Sequence, residues 1–299
     1  MFNHLKKDIQ VLVYDLPIIR DLYKQHKYKK KLKVALSILP SIENPHPRLE
    51  EYVRRYAKFV NYSNHKAVKH IQKLEKPYIR INDGDIDYVC GNGWGYQSYN
   101  QGMVDRLWEI LESAEHKNTD IALAGFNHPV FIKDIIIMLN KLLNQNRESY
   151  INRLLKPYEK LDFVYPGFYT RSINSILVKE LKKIWHNKDV CFVTSSKGSS
   201  GTFVAELFGN TKSVSNIETP PKDAFNVYDD ILNKCKEYPK DTLFLVSLGS
   251  AAKILVYDLF QLGYKALDIG QLPAQYLETF KGAAKPELVW KQKLEELNK

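Results

Sequence analysis

The sequence predicts an α/β protein: a Rossmann-like, mostly parallel sheet flanked by helices. Short apolar runs of strand length recur along the chain, segments with helical spacing stand between them, and glycines or acidic residues mark where the runs end. From Asp189 onward the alternation is regular. DVCFVTS reads as a strand, GTFVAELFG as a short helix closed by glycine, SVSNIET as a strand and DAFNVYDDILNKCKEY as a helix. DTLFLVSLG, SAAKILVYDLFQLGY and KALDIG continue the series as strand, helix and strand.

A second, similar half precedes it. KPYIRI ends at Asn82 and Asp83, and QGMVDRLWEILESAE is amphipathic, with Met103, Leu107, Ile110 and Leu111 near one face. DIALAG is a strand, and PVFIKDIIIMLNKLLNQ is an apolar helix that follows Pro129, a residue suited to a first turn. Residues 1–75 are less determined: QVLVYDLPIIRDLY and KVALSIL are compatible with strands or helices, whereas HPRLEEYVRRYAKFVNYSNHKAVKHIQKLE has a helical and basic pattern. PSIENPHP is a credible boundary. The expected organisation is therefore a basic N-terminal appendage over residues 1–45, a catalytic domain over 46–280 and a polar C-terminal helix over 281–299, carried by KPELVWKQKLEELNK.

Composition narrows the class. With 299 residues, 44% of them hydrophobic and 12% aromatic, the chain can bury a large core, which excludes a disordered polymer. The formal charge of +10 and pI near 9.2 favour anionic partners. Part of that excess is local, since six lysines lie in KQHKYKKKLK, Lys24 to Lys33. Cys90, Cys191 and Cys235 lack Cys-x-x-Cys spacing, which fits a reducing compartment and argues against a structural zinc site. No signal peptide and no run of eighteen apolar residues is present in the sequence, so the expected location is cytoplasmic, with peripheral attachment at the inner membrane face as an option.

The chemistry is sought in RINDGDIDYV, Arg80 to Val89. Asp83 and Asp85 follow a strand, and Gly84 between them lets a loop bend while both carboxylates face the strand's C-terminal end. Two hard oxygen ligands, completed by waters and a diphosphate, suit Mg2+ or Mn2+. The plainer alternative is a local turn, with Asp85 or Asp87 capping the next helix. In SLGSAAK a glycine crossing at Gly249 leads into a helix start at Ser250, where amides can hold phosphate. Lys197 and Gly198 open a second candidate cradle, KGSSG, which lacks Walker A spacing. GNGWGYQSYNQG brings Trp94, Tyr96 and Tyr99 directly after the acidic stretch, as an aromatic lid over a sugar or base. Asn127 and His128 stand at another strand end; Asp258 lies among apolar helix neighbours and reads as a buried structural acceptor; Asp268 and Glu218 are further acidic candidates.

Tyr78 to Asp85, FVTSSKGSSGTFVAELFGN, SVSNIETPPKDAFNVYDDIL and above all TLFLVSLGSAAKILVYDLFQLGYKALDIGQL resemble, in this order, the bacterial glycosyltransferases of the GT-D fold. The resemblance runs from about Ile71 to about Leu277. It implies a GT-D type sheet, a UDP-sugar donor with a hexose, glucose foremost, a glycan or glycoprotein acceptor such as a serine-rich adhesin, and a divalent cation near an Asp-x-Glu motif. On this chain the family arginine matches Arg80, the first acid Asp83, the glycine Gly84, and the glutamate is replaced by Asp85. Gln101 matches a family glutamine. Where the family commonly reads Asp-Ile-Gly-His, this chain has Asp268-Ile269-Gly270-Gln271, and Asp223 replaces an asparagine before Ala224-Phe225. Gln271 hydrogen-bonds but carries no titrating proton near neutrality.

The expected machinery is thus Asp83, Asp85 and Asp268 as catalytic acids, Asp83 and Asp85 as metal ligands, and Arg80, Gly84, Gln101, Lys197, Gly198, Gly249, Ser250 and Gln271 around the donor. Candidate partners also include an anionic membrane surface, a partner glycosyltransferase and a second copy of the chain; nucleic acid is not expected. Two rival readings stand beside this one: a degenerate nucleotide-sugar-binding or scaffolding subunit, for which Gln271 is the warning sign, and a metal-dependent phosphoesterase or nucleic-acid enzyme, which the long C-terminal resemblance disfavours.

Overall fold

The computed structural model describes residues 17–59, 64–81, 83–89, 91, 95, 97–115, 120–123, 129–159, 165–166, 173–196 and 203–284. Its centre is a seven-stranded sheet in the order β3-β2-β1-β7-β6-β4-β5. The strands are β1 (Tyr78–Ile81), β2 (Asp120–Leu123), β3 (Tyr165–Pro166), β4 (Asp189–Thr194), β5 (Ser213–Glu218), β6 (Leu243–Ser247) and β7 (Lys265–Asp268), and every pairing is parallel. The last strand in the chain joins the two halves: Tyr78 pairs with Leu267 on one side of β7, and Val246 with Asp268 on the other.

The described helices are α1 (Pro17–Ile38), α2 (Leu49–Ala57), α3 (Asn64–Ile71), α4 (Asp83–Val89), α5 (Gln101–Glu115), α6 (Pro129–Asn144), α7 (Glu148–Glu159), α8 (Ser175–Trp185), α9 (Ala205–Phe208), α10 (Tyr228–Lys236), α11 (Ala251–Gln261) and α12 (Leu272–Lys281). They form a layer on each sheet face. Along β4 and β6, Cys191, Val193, Phe244 and Val246 face the core shared with Met103, Leu107, Ile254 and Leu255. Val190, Phe192, Leu243 and Leu245 face the opposite core, with Leu181, Trp185 and Phe208. Burial on both faces explains why these strands read as continuous apolar runs rather than alternating ones. Side-chain amides fix two helix starts: Asn100 Oδ1 accepts from Met103 N at 3.1 Å before α5, and Asn174 Oδ1 accepts from Leu177 N at 3.0 Å before α8.

Two ambiguities of the sequence are resolved. Residues 17–38, which include KVALSIL, form one helix, and its Ala35 is buried in the same core as Tyr52, Val53 and Tyr56 of α2. The basic run on this helix is also not wholly a surface feature. Lys27, Lys29, Lys30 and Lys33 are exposed, but Lys31 is buried, donates to Tyr56 O at 3.1 Å and Phe59 O at 2.9 Å, and lies 3.9 Å from the Tyr56 ring centroid. It caps the carbonyl end of α2. Burial holds the Lys31 pKa well below its ordinary value of 10.5 and pushes the Tyr56 phenol upward.

A third point differs from expectation. Asp83–Val89 is a helix, not a loop, and Gly84 lies in its first turn. Acidic residues are favoured at a helix start, and Ile86, Tyr88 and Val89 are buried, so the stretch gains an apolar anchor by coiling. The segment KPELVWKQKLEELNK lies outside the described residues, while α12 and the 145–188 elements are additions that the sequence pattern does not assign.

Candidate functional site

Ligands of parallel sheets bind beyond the carboxyl ends of the strands, where the strand order reverses. Here β1 and β7 meet in the middle of the sheet, and β6 lies next to them. Three chain crossings converge at this end. β1 runs into α4, β6 passes through Gly249 into α11, and β7 turns at Gly270 before α12. Gly249 and Gly270 have φ of 59° and 47°, left-handed values that favour glycine.

The crossings bring together Arg80, Asp85, Lys253 and Asp268, none more than 4% exposed. Ser250 Oγ donates to Asp85 Oδ1 at 2.5 Å, and Lys253 Nζ lies 3.3 Å from Asp85 Oδ2. The same ammonium stands 3.6 Å from Asp268 Oδ2 and donates to Gly249 O at 2.9 Å. Asp268 Oδ1 accepts from Gly270 N at 3.0 Å and faces Arg80 Nε at 3.7 Å. The guanidinium packs on Gly270 so closely that a Cβ there would sit 1.8 Å from Arg80 Nη2. Ser247 Oγ completes the turn by donating to Gly270 O at 2.8 Å. Two cations and two carboxylates thus form a self-neutralised buried quartet that ties β1, β7, α4 and α11 together.

The structure gathers four of the expected residues: Arg80, Asp85, Ser250 and Asp268, with Gly249 and Gly270 shaping the turns. Gln271 is beside them, half-buried at the start of α12, where its carbonyl accepts from Gln275 N at 2.9 Å. Gln101 is elsewhere: it is exposed, donates to Asp105 Oδ1 at 2.8 Å and accepts from Tyr99 Oη at 2.5 Å. Tyr99 is exposed and pairs with Tyr88, ring centroids 5.9 Å apart. Trp94, Tyr96, Lys197, Gly198, Asn127 and His128 lie outside the described residues, as does the side chain of Asp83, whose backbone begins α4. Asp223, in a left-handed conformation, accepts from Ser98 N at 2.6 Å, linking the stretch after the acidic helix to the connection before α10. Glu218 accepts from Ser196 N at 2.8 Å and Oγ at 2.9 Å. Asp258 is a structural acceptor, bound by Arg106 Nη2 at 2.5 Å and Tyr228 Oη at 2.6 Å; burial and this carboxylate push the Tyr228 phenol upward. Cys191 and Cys235 are buried free thiols, the latter pushed up to about 12 by desolvation, which leaves them unreactive.

Lys253 is the member that sequence reasoning missed. Its signal was a single charge in the apolar run SAAKILV, four residues beyond the crossing glycine. An unpaired charge does not stay in such a helix face, so a buried carboxylate partner was implied.

Mn2+ or Mg2+ held by Asp83 and Asp85 does not fit the described half of that pair. Both Asp85 oxygens are engaged, one by a hydroxyl and one by an ammonium, and among the described residues no group of three or more His, Cys, Asp or Glu side chains is gathered for a metal.

The fold has counterparts. A domain of unknown function 1792, described as having a distinct glycosyltransferase fold, superposes with TM-score 0.62 at 25% identity over 79% of this chain and 86% of its own. A new glycosyltransferase of the same domain type from Streptococcus sanguinis superposes at 0.64, with 24% identity, over 79% of this chain and 93% of its own, a likeness of fold. In sequence, the probable glycosyl transferase Gly of Streptococcus gordonii is 28% identical over 203 residues, and the glycosyltransferase GlyD of Streptococcus pneumoniae serotype 4 is 26% identical over 220. These matches cover 66% and 72% of this chain but only 30% and 27% of those longer relatives. The model of the family described as glycosyltransferase GT-D fold matches residues 78–296, from the first residue of β1 to beyond α12, and so takes in every strand and all four members of the quartet. With that span matched, the chain belongs to the GT-D fold glycosyltransferase family.

Proposed function

We propose that this chain transfers a hexosyl unit, glucose foremost, from a UDP-sugar to a hydroxyl of a glycan or glycoprotein acceptor. The observation that carries the reading is the family match across the whole sheet, together with a charged, polar cluster at the carboxyl ends of β1, β6 and β7. In the reaction the bond between the sugar C1 and the diphosphate oxygen breaks, and a bond from C1 to the acceptor oxygen forms. The acceptor proton is released and negative charge collects on the departing UDP. Preorganised positive groups lower the barrier where that charge develops. The start of α11 and the Arg80 and Lys253 cations stand at that end of the sheet, with Asp268 positioning both cations.

The exposed lysines of α1 would give an anionic membrane surface or an acidic acceptor a place to approach, on the cytoplasmic side. Among the described residues no helix is long and apolar enough to cross a membrane.

The test is a panel of UDP-, GDP- and CMP-sugars scored for protection against thermal unfolding, followed by mass detection of glycosylated acceptor and free nucleotide. Protection by a UDP-hexose with release of UDP supports transfer. Protection without any release would select a donor-binding subunit instead, and indifference to every UDP-sugar would sink both.

A further inference from the structure

The acidic motif after β1 reads, from sequence, as a place for a divalent cation. The geometry points to a different occupant, and we propose that Lys253 is the resident cation of this motif. Its ammonium fills the space between Asp85 and Asp268, and these two carboxylates are positioning residues for that ammonium, not inner ligands of a metal ion.

Three observations carry this. First, Lys253 folds back over the start of its own helix, and its Nζ donates to Gly249 O at 2.9 Å while lying 3.3 Å from Asp85 Oδ2 and 3.6 Å from Asp268 Oδ2. The N-terminal end of a helix carries partial positive charge, so an ammonium is disfavoured there unless carboxylates counter it. Asp85 and Asp268 are the two that face it. Second, among the described residues two cations stand against two carboxylates, Arg80 and Lys253 against Asp85 and Asp268, with side chains at most 4% exposed. A divalent ion seated on Asp85 would place two more positive charges in a buried cluster or would expel the ammonium from between its two carboxylates. Third, the other Asp85 oxygen is already the acceptor of Ser250 Oγ at 2.5 Å, so a metal would have to displace a hydroxyl as well.

The inference goes beyond sugar transfer and does not depend on it, because its readout is metal occupancy and not turnover. Titration of the full chain with Mn2+ alone, followed by the electron paramagnetic resonance signal of the free ion, gives the comparison. Lys253→Met unmasks two carboxylates and is expected to bind Mn2+ at least tenfold more tightly than the wild type, or to begin binding where the wild type does not. Because that variant leaves two buried acids facing one cation, the charge-balanced Lys253→Met/Asp85→Asn chain provides a variant expected to fold. It is expected to match the wild-type Mn2+ affinity, or its absence, within threefold. A loss of more than threefold in the double variant, or a folded Lys253→Met chain with no gain, overturns the assignment and returns Asp85 to the metal.

Discussion

Two lysines are buried among the described residues, and their surroundings differ. Lys31 in α1 has two backbone carbonyls and an aromatic ring among its partners; Lys253 in α11 sits between two carboxylates. Desolvation dominates at Lys31, whose pKa is held well below the usual range. At Lys253 the charge is met by charge. The first lysine closes a helix end; the second is one corner of a network of two cations and two carboxylates. Burial of a lysine is therefore not in itself a functional sign.

The largest break in this comparison is Lys253→Met. Removing one partner from a buried ion network costs about 3–5 kcal/mol, so urea unfolding should show a loss of that order, with about half recovered when Asp85→Asn is added. If the double variant is as unstable as the single one, charge closure is not what holds the quartet. Next comes Gly270→Ala, whose new Cβ would overlap the Arg80 guanidinium in a left-handed turn. A loss of about 2–3 kcal/mol in chemical denaturation, with weaker protection by UDP-sugar, is expected. Ser250→Ala separates hydrogen bonding from charge. It removes one bond to Asp85 and leaves Lys253 in place, for a cost of about 1–2 kcal/mol.

The smallest effect is at Lys31. Because its folded pKa lies below the unfolded one, the unfolded chain binds the proton more tightly, and wild-type stability rises with pH between the folded value and 10.5. The contribution is complete above the unfolded pKa and is lost as pH falls through the folded one. Lys31→Met lacks this slope, so the comparison should shift in favour of wild type as pH rises from about 7.5 to about 9.5, by no more than about 1.4 kcal/mol per pH unit. Paired melting curves across that range check the sign.

The sheet was legible because parallel strands buried on both faces leave continuous apolar runs, and DVCFVT, LFLVS and KALD could be picked out without contacts. The acidic stretch was legible in place but not in shape. Asp-Gly-Asp suggested a bend, and what overrode it was the tertiary burial of Ile86, Tyr88 and Val89, which no local rule weighs. Lys253 was missed for a related reason. One partner, Asp268, comes from the next strand, but the other, Asp85 in α4, is far away in sequence, and only the strand order brings it within reach. Gln101 shows the reverse: a match to a motif, yet its side chain is spent on its own helix and on Tyr99.

The position of β7 has a consequence for how the molecule is made. It comes after the other six described strands in chain order, yet it lies between β1 and β6, so until Lys265–Asp268 arrives each half-sheet carries an unpaired inner edge. A nascent chain stopped before that point would hold two sticky flanks and no finished mouth, because Asp268 is delivered by the same strand that seals the seam. Assembly of the buried charged quartet and closure of the sheet thus coincide.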